Sequence, residues 1–396
     1  MRTNGFALFR GPGALERAEE AAARVRRRSE ETLFGAAPAT GRSGDCFLAY
    51  SLEEGEPFPL VHGFADGGVT EGGRFRGEFA FVTGADGRVL AGRDPLGTRA
   101  LYIDDDGLAC VASDHRFFLQ KPTLLPAGVR IDVGSGEQET VAKADAPPDV
   151  HGMEGAAELL CRVLEDSVAR RVKGRKRVAV SFSGGLDSSL IALLAARHTE
   201  VVLCSAYTEL SLDHSQTVRA ARSLGLEHRG VVIDSAGAAA EVRSLDLPFE
   251  PGPMDRALWC LFSTTSRLAA ENGAELILLG QLADELFGGY MKYSLEARKG
   301  EAPAIRMMEN DVAASAYGAF IRDELACSRF SEVRFPFADE DVAGLARALP
   351  LSYKIRGGER KAVLRMAASM LGLPAEIVAA PKKAAQYSSG LSKIVG

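Results

Sequence analysis

The sequence predicts an α/β chain in two unequal parts. The first 135 residues are β-rich (α+β), and residues from 154 onward form a parallel sheet wrapped in helices and ending in a helical C-terminal part. Three observations lead there. Short apolar runs separated by Gly- and Asp-rich turns fill the first third of the chain. Strand-like and helical stretches then alternate between 154 and 279, the pattern of a parallel sheet covered on both faces. Between them, residues 134–153 carry Gly-Ser-Gly, a Pro-Pro pair and several charges, a linker composition. The expected boundaries are a domain over 1–135, a linker over 136–153 and a domain over 154–396. Two cores suit a chain of 396 residues.

In the first domain, strands are expected at 46–50, 78–82, 88–91, 100–103 and 108–112. Turns such as Gly84-Ala85-Asp86-Gly87 separate them, and an Ala-, Glu- and Arg-rich helix is expected near 15–28. In the second, a helix over 154–172 places Leu159, Leu160, Val163, Leu164 and Val168 on one face. Strands follow at 177–182, 201–206, 229–233 and 275–279. Helices at 188–197, 215–225 and 258–270 alternate with them, and the chain from about 295 is mainly helical.

Hydrophobic residues make up 46% and charged residues 25% of the chain, ordinary for a globular protein. The net charge of −6 argues against a coat for nucleic acid or a membrane surface. The basic run from Arg170 to Arg177 reads as a solvated turn, with steering of ATP or RNA as the weaker alternative. No apolar run approaches the roughly 18 residues a bilayer span needs. Residues 1–5 do not resemble a signal peptide, so a cytoplasmic protein without a membrane partner is expected. Six cysteines without a C-x-x-C pair and six histidines without an H-x-x-x-H pair suggest buried thiols and no zinc site.

The chemistry concentrates in Ser183-Gly184-Gly185-Leu186-Asp187-Ser188-Ser189, which lies between a strand and a helix. Glycines let the backbone approach a polyphosphate, and N–H groups at the helix start point at the anion. The serine hydroxyls can donate further bonds. Asp187 repels phosphate, so its sensible role is to hold Mg²⁺. No Gly-Lys-Ser/Thr follows, so the loop is not a Walker loop. A second acidic segment, Gly280-Gln281-Leu282-Ala283-Asp284-Glu285-Leu286-Phe287-Gly288-Gly289-Tyr290, follows the strand at 275–279. Ligands of open α/β sheets sit beyond the carboxyl ends of strands, so Asp187 and Asp284 are expected to converge on one Mg²⁺.

The first loop resembles the S-G-G-x-D-S pyrophosphate loop of the ATP pyrophosphatases. Together with Gly280–Tyr290, Glu332-Val333-Arg334-Phe335-Pro336-Phe337, Lys361-Ala362-Val363-Leu364-Arg365 and Pro381-Lys382-Lys383, it resembles the synthetase half of glutamine-dependent asparagine synthetases. β-Lactam synthetase, carbapenam synthetase and lasso-peptide cyclases are relatives of that group. Gly77-Glu78-Phe79-Ala80-Phe81 and Arg93-Asp94-Pro95-Leu96-Gly97-Thr98-Arg99 are similar to the core of its N-terminal glutaminase domain. The resemblance implies an Ntn-hydrolase-like β-sandwich followed by an adenine nucleotide α-hydrolase-like domain. It also implies site roles. Ser183 to Ser189 hold pyrophosphate, Asp187 and Asp284 hold Mg²⁺, and Ser205 and Gly280 frame the adenosine. Lys361 and Lys382, or Lys383 one residue on, neutralise the phosphates.

Two departures qualify this. The family's glutaminase nucleophile is a cysteine exposed as the first residue, whereas here position two is Arg2 and no cysteine precedes Cys46. The first domain is therefore expected to be a degenerate glutaminase. Gln281 stands where the family has Glu or Tyr, and it cannot accept a proton. Either Glu332 alone handles the proton, or the amine arrives already neutral, or Gln281 only orients the substrate; an ion pair with Arg334 or another cation is the structural alternative for Glu332. The implied function is an ATP-dependent amide-forming ligase. It adenylates a small-molecule or peptide carboxylate, then takes free ammonia, ammonia from a separate glutaminase, or an amine. A tRNA- or base-modifying ATP pyrophosphatase and a non-catalytic nucleotide-binding regulatory protein are the alternatives. Nothing in the sequence identifies the substrates or decides whether the chain forms a homo-oligomer.

Overall fold

The computed structural model describes residues 6–9, 16–18, 20–21, 34–36, 47–51, 60–66, 76–85, 88–104, 110–140, 150–209, 211, 214–381 and 389–395. It forms two compact units, Arg2–Lys143 and Ala144–Gly396. The first contains strands β1 (Phe6–Phe9), β2 (Phe34–Ala36), β3 (Phe47–Ser51), β4 (Leu60–Asp66), β5 (Arg76–Ala85), β6 (Arg88–Arg93), β7 (Tyr102–Ile103), β8 (Cys110–Ala112), β9 (Thr123–Leu124), β10 (Val129–Asp132) and β11 (Gln138–Thr140). They make a six-stranded sheet, β2-β3-β1-β8-β7-β9, and a five-stranded sheet, β11-β10-β6-β5-β4.

Strand β1 shows why the unit is a sandwich. Side chains alternate across a strand. Phe6 and Leu8 join Ala80, Val82, Ala91 and Val111 in the core shared by the two sheets. Ala7 and Phe9 point the other way, onto Ala18, Ala21 and Phe117. All four residues are apolar because both faces are covered, so the segment lacks the alternation that would have marked it as a strand. Of the helix expected near 15–28, residues 16–18 and 20–21 are described and are helical.

Arg93 to Arg99 tie the unit together. The Asp94 carboxylate accepts from Leu96 N at 3.0 Å, Thr98 N at 2.9 Å and Thr98 Oγ1 at 2.7 Å. Arg93 donates to the carbonyls of Gly97, Arg99 and Leu125 at 2.6–2.7 Å. Arg99 and Glu78, both fully buried, pair at 3.2 Å. Gly63 is required beside them, because a Cβ there would lie 2.2 Å from the Glu78 carbonyl oxygen.

The expected linker needs correction at its start. Residues 134–136 form a hairpin turn, in which the Asp132 carboxylate accepts from Gly134 N and Ser135 N at 2.7 and 3.2 Å. Gln138–Thr140 is β11, paired antiparallel with β10. Gly-Ser-Gly there serves a tight turn rather than a flexible spacer. Residues 141–149 fall outside those described.

The second unit is built on one five-stranded sheet, β14-β13-β12-β15-β16, all parallel. The strands are β12 (Arg177–Ser181), β13 (Glu200–Tyr207), β14 (Glu227–Val232), β15 (Leu276–Leu278) and β16 (Glu332–Arg334). In β12, Val178, Ala179 and Val180 are fully buried, as expected of a strand covered on both faces. Helix α1 (Gly152–Val172) packs with α2 (Leu186–Ala195) and α12 (Ala362–Met370), and α5 (Pro253–Glu271) packs with α9 (Ala319–Cys327). The other helices are α3 (His214–Leu224), α4 (Ser235–Arg243), α6 (Ala283–Phe287), α7 (Met291–Ala297), α8 (Glu301–Ser315), α10 (Glu340–Ala348), α11 (Leu351–Lys354) and α13 (Ala375–Val378). The fifth strand, β16, was expected only as a motif within a helical region; three residues are too short to register by periodicity. No described helix is long and apolar enough to cross a membrane.

Removing Glu78 strands the Arg99 guanidinium in the core without this counter-charge. Glu78→Ala should therefore destabilise the first unit by about 3–5 kcal/mol, read as an earlier first transition in urea. An unchanged unfolding profile would show that the pair carries no such weight.

Candidate active site

The sheet order reverses beside β12, with β13 and β14 on one side and β15 and β16 on the other. In such sheets the crevice lies at the carboxyl ends of the strands where the order turns. The loops after β12 and β15 open there onto a cleft of about 660 Å³, lined among others by Ser183, Asp187, Ser188, Ser205, Gly280, Gln281 and Asp284.

The first loop is held by its own hydroxyls. Ser183 Oγ lies 3.2 Å from Ser188 Oγ and accepts from Gly185 N at 3.3 Å. Thr217 Oγ1 donates to the Ser183 carbonyl at 3.2 Å. Gly184 has φ +70°, and a Cβ there would meet Thr217 Cα at 2.9 Å, so only glycine fits. Helix α2 begins at Leu186, two residues earlier than expected, with Gly185 as a cap that offers no side-chain bond. The first N–H groups of the helix therefore remain available to an anion. Ser188 lines the cleft. Ser189 is fully buried, its hydroxyl without a partner among the described residues. Its backbone N–H donates to the Gly185 carbonyl at 3.1 Å as part of helix α2.

Asp187 and Asp284 do converge, and Lys361 joins them. Its ammonium sits 2.6 and 2.7 Å from the two Asp187 oxygens and 2.6 Å from Asp284 Oδ1, with the lysine side chain 2% exposed. Two backbone irregularities hold the cluster. Leu282 and Lys361 have φ of 76° and 60°, the only non-glycine residues with positive φ among those described. Leu282 caps the short helix that carries Asp284, and Lys361 caps α12. Such conformations persist only where the surroundings enforce them. Gly289 clears the space: a Cβ there would lie 1.9 Å from Asp284 Oδ1 and 2.4 Å from Lys361 Cε. The two carboxylates form an all-oxygen donor set, which suits Mg²⁺ completed by phosphate and water. No cluster of three or more His, Cys, Asp or Glu side chains among the described residues suggests a different metal.

Ser205 is tied down, donating to the Phe182 carbonyl at 2.6 Å and lying 3.0 Å from His228 Nε2. Burial pushes the neighbouring Cys204 thiol up to about 12, so it is inert. Lys382 and Lys383 lie outside the described residues.

Glu332 requires a correction. It opens β16 opposite Leu276, the first residue of β15, and so stands at the amino end of the parallel sheet, away from the cleft. Its carboxylate is held by Arg175 at 2.5 Å and Arg334 at 2.6 Å. In this position the carboxylate is an ion-pair partner at the sheet edge and does not reach the cleft lining. The basic run resolves the same way. Arg170 and Arg171 bind Asp339 at 2.8 Å each, and Arg177 binds Glu227 at 2.7 Å and Glu200. These arginines staple the amino edge of the sheet and leave little free charge to steer a nucleic acid.

Sequence reasoning missed the far end of the cleft. Arg322 lies there between Asp255 at 2.9 Å and Asp323 at 2.7 Å. Lys292 and the Tyr293 hydroxyl both reach Asp311, at 2.5 and 2.6 Å. Closer to Asp284, Glu285 accepts from the Tyr290 hydroxyl at 2.8 Å. Burial, and then the Asp284 charge, push Glu285 up to about 7. Only Asp255 carried a local signal, the acidic third residue of a helix that starts Gly252-Pro253. The other residues are ordinary polar positions on helices.

If Glu332 is an edge ion pair, Glu332→Gln should lower stability by about 1–3 kcal/mol while leaving ATP–pyrophosphate exchange within about twofold. A loss of exchange with stability intact would return Glu332 to the site.

The asparagine synthase family model matches residues 159–331 and 296–394. A putative asparagine synthetase [glutamine-hydrolyzing] 1 of Methanocaldococcus jannaschii is 33% identical over 284 residues, 61% of this chain and 51% of that one. The asparagine synthetase [glutamine-hydrolyzing] of Gallus gallus is 24% identical over 398 residues, 88% of this chain and 69% of that one. A U34-tRNA thiolase structure from Methanococcus maripaludis overlays only loosely, at a TM-score of 0.34 and 15% identity over 64% of this chain and 77% of that one, too loosely to bear on chemistry. The chain spans about half the length of the first curated relatives it matches. With well over half of its residues covered by one family model, the chain belongs to the asparagine synthase family.

Proposed function

We propose that this chain is an AMP-forming carbon–nitrogen ligase. A substrate carboxylate attacks the α-phosphorus of ATP, pyrophosphate leaves, and ammonia or an amine then displaces AMP from the acyl-adenylate. The observation that carries this reading is the cluster of Asp187, Lys361 and Asp284 at the carboxyl edge of the sheet, with Asp187 supplied by the Ser183–Ser189 loop itself. Negative charge grows on pyrophosphate as it departs. Fixed donors and cations placed where charge develops are the strongest catalytic device a site of this kind has.

In this reading the N–H groups of Gly184 and of Leu186 to Ser188, with the hydroxyls of Ser183 and Ser188, bind the polyphosphate. Ser205 and Gly280 border the nucleoside. Lys361 supplies a cation held in place by two carboxylates and its own left-handed backbone. Lys382 is the second cation by resemblance. Mg²⁺ held by Asp187 and Asp284 would neutralise the phosphate oxygens. Gln281 lines the cleft and orients the incoming amine without taking its proton. We further propose that nitrogen arrives as ammonia or as a substrate amine, without glutaminase chemistry in the first unit. There, Cys110 is buried within β8, and Cys46 lies outside the described residues.

Two outcomes are expected. Asp187→Ala should cut carboxylate-dependent ATP–pyrophosphate exchange by about 100- to 1000-fold; exchange that survives the change would rule the mechanism out. With the activated carboxylate supplied, ammonium should support product formation and glutamine should not. Glutamine hydrolysis by the purified chain would contradict the nitrogen assignment.

A further inference from the structure

The cleft continues past the Asp187–Lys361–Asp284 cluster to the start of α5, the end of α8 and the start of α9. Its lining there includes the apolar residues Phe249, Leu258, Leu261 and Phe262, together with Ala314 and Ala319. The apolar lining runs out to the rim at Met254, which is 54% exposed. Two cations line this end, and each already has its counter-charge. Lys292 is paired with Asp311, and Arg322 is held between Asp255 and Asp323. Three carboxylates therefore outnumber two cations.

A substrate bearing a second carboxylate needs an uncompensated cation, or it meets an acidic wall at a desolvation cost. The described residues offer it none. An apolar body meets surface it can bury, and small side chains at Ala314 and Ala319 leave room for it. We propose that this end of the cleft is an acyl pocket selecting a monocarboxylate with an apolar body over a short amino-dicarboxylate such as aspartate. The assignment rests on the ligase reading for its orientation, since the carboxylate would point back toward Asp187.

Two measurements separate the pocket from the chemistry. Calorimetric titration of the full chain, loaded with MgATP analogue, against straight-chain carboxylates from propionate to octanoate reads the pocket alone. Affinity should rise about fourfold per added methylene until the rim is reached, and octanoate should bind at least about 100-fold more tightly than aspartate, as several buried methylenes imply. Ala314→Trp fills the space from an exposed helix position. It should weaken octanoate by about tenfold or more, the worth of two or more methylenes, and leave propionate unchanged. A flat series, or aspartate binding as tightly as octanoate, would overturn the proposal. So would failure of every carboxylate to bind while the nucleotide does, or equal weakening of short and long chains by the tryptophan. Exchange assays on the same panel read the ligase separately. The predicted binding series without any exchange would leave the pocket standing and remove the adenylation reading.

Discussion

One buried ammonium organises the site. Lys361 sits between Asp187 and Asp284, carboxylates delivered by loops that follow two different parallel strands. Without that cation, two acidic side chains at this separation would repel each other in a partly desolvated crevice. With it, the loops after β12 and β15 are drawn to a single point. The segment carrying Lys361 is anchored to the sheet's carboxyl edge, although it lies 174 residues further along the chain. The left-handed backbone at Lys361 and Leu282 and the empty space at Gly289 are the local consequences of making three charged groups meet.

The two ends of the sheet divide their work. At the amino edge, Arg175, Arg177 and Arg334 are spent on Glu332, Glu227 and Glu200, and Arg170 and Arg171 on Asp339. These pairs lock neighbouring strands and helices together and present no group to a ligand. At the carboxyl edge, loop N–H groups, hydroxyls and two carboxylates face the cleft. A parallel sheet allows this separation because every strand ends on the same side. The far end of the cleft adds a third environment, with apolar lining and cations that are already paired, which fits recognition by shape and burial.

Glu332 and Gln281 show how the parts of a family pattern can separate. Glu332 matches a motif in sequence, yet β16 pairing carries it to the wrong edge of the sheet. Gln281 keeps its position in the cleft and has lost proton-accepting chemistry. The carboxylate that does stand in the cleft with an affinity for protons near neutrality is Glu285, raised by burial and by Asp284 and bound by Tyr290.

The sequence by itself determined the local chemistry and most of the second unit. The Ser-Gly-Gly loop needs a positive φ and close backbone approach at Gly184, which residue type alone signals. Strands such as Arg177–Ser181 and Glu200–Tyr207 are long apolar runs flanked by turn residues. The pairing of Asp187 with Asp284 followed from strand polarity. Hidden from it were segments buried on both faces or too short to show a period, such as Phe6–Phe9, Gln138–Thr140 and Glu332–Arg334. Tertiary structure alone decided that Lys361 lies between the two aspartates, that the Ser189 hydroxyl turns inward, and that Glu332 pairs with Arg175, 157 residues away. It also decided that Arg322 and Lys292 are neutralised where they line the cleft. The reason is physical: periodicity and turn chemistry are written in neighbouring residues. The partner of a charge, and the sheet edge at which it stands, depend on register between segments that only folding brings together.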